Sequence, residues 1–190
     1  MVSSQSVFDA AKLGGTPMSE EHNAPLTQRP GVSSTKLNLG CGPDYREDYH
    51  NVDIREDVDP DEVVDLNSYP WPWDDNQFAT VLASNVLEHL RDQAAALHEL
   101  HRVTADGGTI QAAFPHPNGR SQWIDPTHEH HLMPETFTHD IAPAFDVVDV
   151  SCSRVRFGRV LPEPWALWWA DHLGFIVDEI QVTVRPVAEC

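Results

Sequence analysis

The chain has 190 residues, 41% of them hydrophobic, which is enough for one domain with a real core and too few for two comfortable ones. Its formal net charge is −18, so its field repels nucleic-acid phosphates and disfavours DNA or RNA as a partner. The sequence contains no apolar run of about 18 residues, and we therefore expect no membrane-spanning helix and no membrane partner.

The kind of charge and the cysteine usage indicate the setting of the protein. Lys12 and Lys36 are the only lysines, and acidic proteins with almost no lysine are typical of salt-accumulating microbes, so we favour a halophilic origin over an acidic mesophilic one. Cys41, Cys152 and Cys190 are odd in number and far apart, which indicates neither a disulfide framework nor a zinc site. The N-terminus does not resemble a secretory signal, and we expect a cytoplasmic protein.

The order of polar and apolar segments predicts a flexible N-terminal tail over residues 1–33 and a single domain over 34–190. Apolar residues at spacings of three and four predict a helix between Leu87 and Val103, which Asp106-Gly107-Gly108 would end. Short apolar runs predict five strands before and after this helix, and two longer strands follow in the last third of the chain. The predicted strands are 36–39, 51–54, 62–66, 79–83, 108–114, 145–157 and 175–184.

Short buried strands that alternate with helices are typical of a parallel sheet covered on both faces. The predicted fold is therefore α/β, a Rossmann-like, doubly wound, mostly parallel sheet with an antiparallel C-terminal edge.

A Gly-Cys-Gly corner follows the first predicted strand, at Gly40 to Gly42. Glycine there allows a tight turn and lets a ligand approach the main chain. A dinucleotide-binding corner would have a third glycine where Tyr45 stands, and an acidic residue about twenty positions on. Because Asp53 comes earlier than that, a nicotinamide-dependent oxidoreductase is disfavoured.

Polar groups follow the next strands at the same edge of the predicted sheet, where open α/β sheets bind ligands. Asp53 ends the second strand, and its carboxylate could accept hydrogen bonds from ribose hydroxyls. Ile54 and Leu66 could hold a flat base between them, Asp65 could accept from its amino group, and Asn85 ends the fourth strand beside the same crevice. Each acidic residue alone could be a solvated turn residue. Together, the glycine corner, Asp53, Asp65 and Asn85 favour a nucleoside-binding site.

At these motifs the sequence resembles the class I S-adenosylmethionine-dependent methyltransferases. The resemblance covers about Lys36 to Pro115 and includes LNLGCGP, NVDI, VVDLNSYPWPWDDNQFATVLASNVLEHL and LHELHRVTADGGTIQAAFP in the expected order. It implies S-adenosylmethionine as the cofactor and methyl transfer to an unidentified, small-molecule acceptor as the activity. It also implies cofactor contacts from Leu39, Gly40, Cys41, Gly42, Asp53, Asp65, Leu66 and Asn85, to which the position of Ile54 beside the base adds a further predicted contact.

The sequence departs from the family pattern at two places. The spacing from the Gly corner to Asp53 leaves no room for the usual first helix, which puts the anchoring of the carboxypropyl end in doubt. Ser84-Asn85-Val86-Leu87 stands where methyltransferases of base amino groups have an Asn-Pro-Pro-Tyr type of sequence, which argues against that reaction. A non-catalytic binding or interaction module with the same fold remains the alternative.

Histidines supply the candidate base and the candidate metal ligands. His116 follows the fifth strand, where a histidine could take a proton from an acceptor, although a packing role is also open. The run His128-Glu129-His130-His131 could bind a metal, but it matches no usual metal-binding spacing, and we predict no metal site. We therefore take His116 as the candidate catalytic residue.

A tryptophan cluster occupies the segment between the last two strands. Trp165, Trp168 and Trp169 would share one face of a helix. Core packing against the sheet is the favoured interpretation, and a substrate lid or a subunit interface that would form a homo-oligomer are the alternatives.

Overall fold

This computed structural model of the protein describes residues 35–139, 143–154 and 177–187, together with Pro162, Pro164, Trp165, Trp168 and Trp169. The predicted tail over 1–33 lies outside the described residues. The predicted domain boundary therefore stays a prediction.

One sheet of seven strands organises the described part of the chain, in the order β3-β2-β1-β4-β5-β7-β6. The first five strands pair in parallel, β7 runs antiparallel to β5, and β6 runs antiparallel to β7. This arrangement confirms the predicted α/β class, a mostly parallel Rossmann-like sheet with an antiparallel C-terminal edge. The strands are β1 Lys36–Leu39, β2 His50–Asp53, β3 Glu62–Val63, β4 Phe78–Ser84, β5 Thr104–Pro115, β6 Phe145–Arg154 and β7 Val177–Pro186.

The main helix is shorter than the sequence pattern predicts. Helix α1 spans Gln93–Val103, and the preceding Leu87–His89 forms a separate 3-10 turn. Asp92 is the reason, because its side chain accepts a hydrogen bond from Ala95 N and so caps the helix at that point. The helix ends at Val103, as predicted, but β5 already begins at Thr104, so Asp106-Gly107-Gly108 lies within this strand and does not end the helix.

The third predicted strand is also shorter in the structure. β3 stops at Val63 because Asp65 starts a turn: its Oδ1 accepts from Asn67 N at 2.9 Å, and Ser68 N donates to Asp65 O at 2.9 Å. Such a turn, closed by an Asp side chain, competes with sheet pairing. It directs the chain away from the sheet edge and toward the cavity described below. The remaining short elements are α2 Arg120–Ile124 and 3-10 turns at Glu56–Val58 and Pro134–Thr138.

The core lies between the sheet and α1. Leu97 and Leu100 of the helix are fully buried in one cluster with Leu37 and Leu39 of β1 and Val81 of β4. Full burial of one such side chain stabilises the fold by about 1.5–3 kcal/mol before the entropy cost of ordering it. None of the helices in the described part of the chain is long and apolar enough to cross a membrane.

Candidate functional site: two adjoining cavities at the carboxyl ends of the strands

The Gly corner closes the end of β1 in a conformation that favours glycine. Gly40 has a φ of 58° and Gly42 a φ of 49°. A Cβ atom added to Gly40 would lie 2.6 Å from Cγ2 of Val86, so this position has no room for a side chain. A Cβ at Gly42 would meet nothing within 4 Å, because this residue faces open space.

Asp53 at the end of β2 holds this corner in place. Its carboxylate is buried, with the residue 8% exposed, and Oδ2 accepts a hydrogen bond from Gly42 N at 2.8 Å. Oδ1 accepts from Arg55 N at 2.9 Å. Each carboxylate oxygen has a second lone pair, so Asp53 keeps acceptor capacity for a ligand.

A cavity of about 560 Å³ lies beside the corner and contains most of the predicted cofactor residues. This volume is within the usual range for small-molecule sites. The predicted residues that line it are Gly40, Gly42, Asp53, Ile54, Asp65, Leu66 and Asn85, and the others are Arg55, Val64, Asn67, Val86, His89, Leu90 and Thr127. Leu39 and Cys41 were also predicted to contact the cofactor, but their side chains are buried behind this wall at 0% and 4% exposure.

The thiol of Cys41 is unsuited to covalent chemistry. Burial, together with the neighbouring charges of Asp53 and Asp61, raises the pKa of Cys41 to about 11. A thiol in that state remains protonated at neutral pH, and the thiolate is the nucleophilic form. Cys41 is therefore a packing residue of the corner.

Asn85 lies where the first cavity adjoins a second one. It has a φ of 51°, a left-handed conformation that asparagine tolerates better than most residues. Its N–H donates to Ala113 O at 2.8 Å and its Nδ2 donates to Glu179 Oε2 at 3.3 Å, which fixes it between β5 and β7. The second cavity, of about 730 Å³, also borders Asn85 and His89, and its other lining residues are Glu88, Pro115, Ser121, Ile124, Asp125, Pro126, His128, Ser153, Asp178 and Glu179.

His116, the predicted base, does not line either of these cavities. It is 1% exposed, and its ring Nδ1 accepts a hydrogen bond from Asn118 N at 3.0 Å, while its backbone N–H donates to Asp178 O at 3.0 Å. These contacts hold the loop after β5 against β7. Its role as the base stays a prediction, and its placement favours the packing role.

A different group of titratable residues does border the second cavity. Glu88, His89 and His128 each bring a ligand-type atom within 4.8 Å of the others. Glu88 is fully buried, and this burial raises the pKa of its carboxyl group. Of the His128–His131 run, only His128 belongs to this group: Nε2 of His130 bonds to Arg91 O, and His131 packs on Trp123.

Sequence reasoning missed this group because it did not connect Glu88 and His89 with the histidine run. Glu88 lies 40 positions before His128, and the two meet because Glu129 N and His130 N both donate to Glu88 O, at 2.8 and 3.2 Å. The residues next to Glu88 in the sequence do not predict this long-range contact. The Leu87–His89 turn, which was included in the predicted helix, is the element that presents Glu88 and His89.

Two members of the predicted tryptophan cluster are at the surface. Trp165 is 62% and Trp168 53% exposed, and the rings of Trp168 and Trp169 meet edge to face at 6.5 Å. Exposure of this size is inconsistent with core packing of Trp165 and Trp168. A lid and a subunit interface both remain predictions.

Comparison with known proteins agrees with this geometry. Residues 37–112 match the model of a family described as a methyltransferase domain. No curated protein matches the sequence.

Solved structures of similar fold cover most of the chain. A chain from a complex with the Haloferax volcanii Trm112 methyltransferase activator is 15% identical, with a TM-score of 0.58 over 82% of this chain and 84% of that one. An S-adenosylmethionine-dependent methyltransferase from Archaeoglobus fulgidus is 18% identical, with a TM-score of 0.58 over 79% and 85%. One from Mesorhizobium loti is 14% identical, with a TM-score of 0.54 over 79% and 90%. At such identities the likeness shows the fold.

The family match over residues 37–112 and the fold both resemble the class I S-adenosylmethionine-dependent methyltransferases. S-adenosylmethionine is the cofactor of that family. This confirms the resemblance seen in the sequence motifs.

Proposed function

We propose that this chain transfers a methyl group from S-adenosylmethionine to a small-molecule acceptor. The observation that carries the proposal is the pair of adjoining cavities that share Asn85 and His89. The first is lined by the predicted cofactor residues, and the second would hold the acceptor. Two bound reactants in adjoining cavities are what a direct group transfer requires.

The residues of the first cavity fit the cofactor. Asp53 offers buried carboxylate lone pairs for ribose hydroxyls, and Asp65 offers an acceptor for the amino group of the base. Ile54 is 61% exposed and Leu66 is buried, so the two could cover the faces of an adenine ring at the cavity wall. Arg55, which also lines the cavity, is a candidate partner for the carboxylate of the methionine part.

For this reaction the protein must orient the two reactants and exclude water from the site. It does not need to supply an activated nucleophile of its own. S-adenosylmethionine supplies an activated methyl group and its own leaving group. The acceptor must lose a proton as its oxygen, sulfur or nitrogen forms the new bond to carbon. The protein would hold the acceptor in line and receive or release that proton at the second cavity.

The alternatives are less well supported. A nicotinamide oxidoreductase is disfavoured by Tyr45 at the place of the third glycine and by the family match. A non-catalytic module would need no second cavity next to the first. A cytoplasmic setting is part of the proposal, and it is supported by Cys41 and Cys152, which are not joined in a disulfide.

Calorimetric titration with S-adenosylhomocysteine, with NADH as the control ligand, tests the cofactor. We expect binding of the first alone, and no binding of either by folded protein would overturn the proposal. Incubation with methyl-labelled S-adenosylmethionine and a panel of alcohols, thiols and amines then tests transfer. Label on an acceptor would support an enzyme, whereas binding without transfer to any acceptor class would favour the non-catalytic module.

Replacing Asp53 by alanine tests the ribose assignment. Loss of charge-assisted hydrogen bonds should weaken S-adenosylhomocysteine binding by about 1.5–3 kcal/mol, roughly ten- to 150-fold. Asp48→Asn is the matched control, because Asp48 has an 83% exposed side chain and lies outside the cavity. Equal affinity of Asp53→Ala and the control, with both proteins folded, would contradict the assignment.

A further inference from the structure

We propose that Glu88, His89 and His128 form a binding site for Zn²⁺ or a similar divalent transition metal, at the place where the two cavities adjoin. Two imidazoles and one carboxylate are a donor set that such metals accept, and a site with three protein ligands leaves a coordination position for a substrate.

The first argument is the state of Glu88. The residue is 0% exposed, and neither Oε1 nor Oε2 has a hydrogen-bond partner among the described residues. Buried carboxylates are normally paired, hydrogen-bonded or metal-bound, because an isolated buried charge is costly. Glu88 nevertheless borders the second cavity, so an ion that enters this cavity can reach it.

The second argument is the hydrogen bonding of the two imidazoles. Nδ1 of His128 lies 3.0 Å from Gln122 O, and a carbonyl oxygen can only accept, so Nδ1 carries the proton. Nδ1 of His89 lies 3.2 Å from Thr127 O and 3.0 Å from Thr127 Oγ1, whose own hydroxyl donates to Asp125 Oδ1. Nδ1 of His89 is therefore also the donor.

In the neutral form of each ring, Nε2 is consequently the unprotonated nitrogen. Histidines that bind metals show this arrangement, in which the other ring nitrogen donates to a backbone carbonyl or a carboxylate and so fixes the tautomer. The loop is also held against the turn by Glu129 N, which donates to Glu88 O. The imidazoles are thus oriented before any ion arrives.

The third argument is distance. Nε2 of His128 lies 4.0 Å from Glu88 Oε1, which is too far for a hydrogen bond. In a tetrahedral zinc site, with ligand bonds of about 2.0–2.2 Å, neighbouring donor atoms lie about 3.4 Å apart. A shift of roughly 0.6 Å, within the reach of side-chain rotation, would bring this pair to that separation. One donor-type atom of each of the three side chains already lies within 4.8 Å of those of the other two.

The position of the site indicates the class of acceptor, an inference that rests on the proposed function. All three ligands border the second cavity, so a bound metal could coordinate an acceptor hydroxyl or thiol there. Coordination lowers the pKa of such a group, as it does for water on zinc. The proton would leave to solvent, the resulting alkoxide, phenolate or thiolate would form the bond to the methyl carbon, and the carbon–sulfur bond of the donor would break. We therefore expect oxygen or sulfur acceptors.

Titration of the metal-free full chain with Zn²⁺ alone tests the site, with Mg²⁺ as the control ion. We expect one zinc per chain and, with Co²⁺ in its place, the visible absorption of a low-coordinate nitrogen–oxygen site. Glu88→Gln should lower zinc affinity by more than about 100-fold, the upper end of the loss seen when a supporting residue alone is removed. It should also raise the melting temperature of the metal-free protein, because a neutral amide is less costly to bury than a carboxylate.

His131→Gln is the matched control, since His131 belongs to the same histidine run, is exposed and lies outside the group. It should bind zinc as the unaltered protein does. His128→Gln provides a second test if Glu88→Gln does not fold. Absence of zinc binding, or an equal loss in His131→Gln, would overturn the metal site. Because S-adenosylhomocysteine binding is measured on the same samples, failure of the metal site is distinguishable from failure of the proposed function.

Discussion

Gly40 is the residue at which backbone conformation and packing both exclude a side chain. Gly40→Ala would force a left-handed φ on alanine and drive Cβ into Val86, which lines the first cavity. The conformation costs about 1–2 kcal/mol, and overpacking typically adds about 1–3 kcal/mol. We expect a lower free energy of unfolding in urea and a loss of S-adenosylhomocysteine affinity.

Gly42→Ala separates the two effects. Gly42 has a similar φ of 49°, but its added Cβ meets no atom within 4 Å. It should carry the cost of the conformation alone and lose about half as much stability as Gly40→Ala, or less. If both variants lose the same stability, contact with Val86 is not the reason that Gly40 is glycine.

Whether a candidate site residue could be predicted from the sequence depends on whether its position follows from the end of a strand or from a contact with a distant loop. Gly40, Gly42 and Asp53 could be found because a parallel strand ends beside each of them, and the carboxyl ends of parallel strands share an edge. Asp65 and Asn85 followed for the same reason. Glu88 could not, because its environment depends on a loop 40 positions later that folds onto its backbone carbonyl.

At the scale of elements, an ion pair ties α1 to the loop that carries Trp71 and Trp73. Glu99 Oε2 accepts from Trp71 N at 2.7 Å and from Arg102 Nη2 at 2.6 Å. Arg102 also donates to Trp73 O at 2.7 Å and to Asp75 Oδ1 at 2.8 Å. This loop follows Leu66 and Asn67, which line the first cavity, so the ion pair supports that wall.

Removing the arginine should leave Glu99 poorly compensated. Arg102→Met should cost about 2–3 kcal/mol of unfolding free energy, less than a fully buried pair because the arginine side chain is 26% exposed. Arg91→Met, at an exposed arginine just before α1, is the control and should change stability little. Equal stability of the two variants in urea would contradict a supporting role for the pair.

The same pair predicts a pH dependence with a definite sign. Burial by itself raises the pKa of Glu99, but hydrogen bonds from Arg102 and Trp71 outweigh it and hold this pKa below its ordinary value of 4.5. A carboxyl group whose pKa is depressed by folding stabilises the protein above its unfolded pKa and loses this contribution as pH falls through the folded value. Urea unfolding from pH 7 to below pH 4.5 should therefore show a smaller acid loss in Glu99→Gln than in the unaltered protein. Parallel curves would show that Glu99 makes no such contribution.

The hydrophobic pattern predicts where the elements lie, but it does not predict the residues at which they begin and end. Hydrophobic runs located the strands of the described residues, and all of them except the two-residue β3 contain buried residues. Their ends were less accurate. The true start of α1 depends on the cap from Asp92, and the end of β3 depends on the turn at Asp65, both of which are side-chain hydrogen bonds that compete with the hydrophobic period.

At the scale of the molecule, the strand order explains why one site contains residues so far apart in sequence. The chain passes from β1 outward through β2 to β3, and then returns to the other side of β1 as β4. The crevice at such a reversal is where open α/β sheets bind ligands. Gly40 follows β1 and Asn85 follows β4, so they face each other across it.

The net charge of −18 is the last property that acts on the whole molecule. Like charges repel more strongly in the compact state than in the unfolded chain, and salt screens this repulsion, with a Debye length of about 10 Å at 0.1 M and about 3 Å at 1 M. We therefore expect the melting temperature to rise steeply with KCl over this range.

Replacing three exposed carboxylates, as in Glu47→Gln, Glu56→Gln and Asp146→Asn together, should raise the melting temperature at low salt and reduce its salt dependence. Because the general effect of KCl on hydrophobic burial is the same in both proteins, the difference between their two curves measures the electrostatic part. Parallel curves would show that charge repulsion does not limit the stability of this protein, and would remove the physical basis for a halophilic origin.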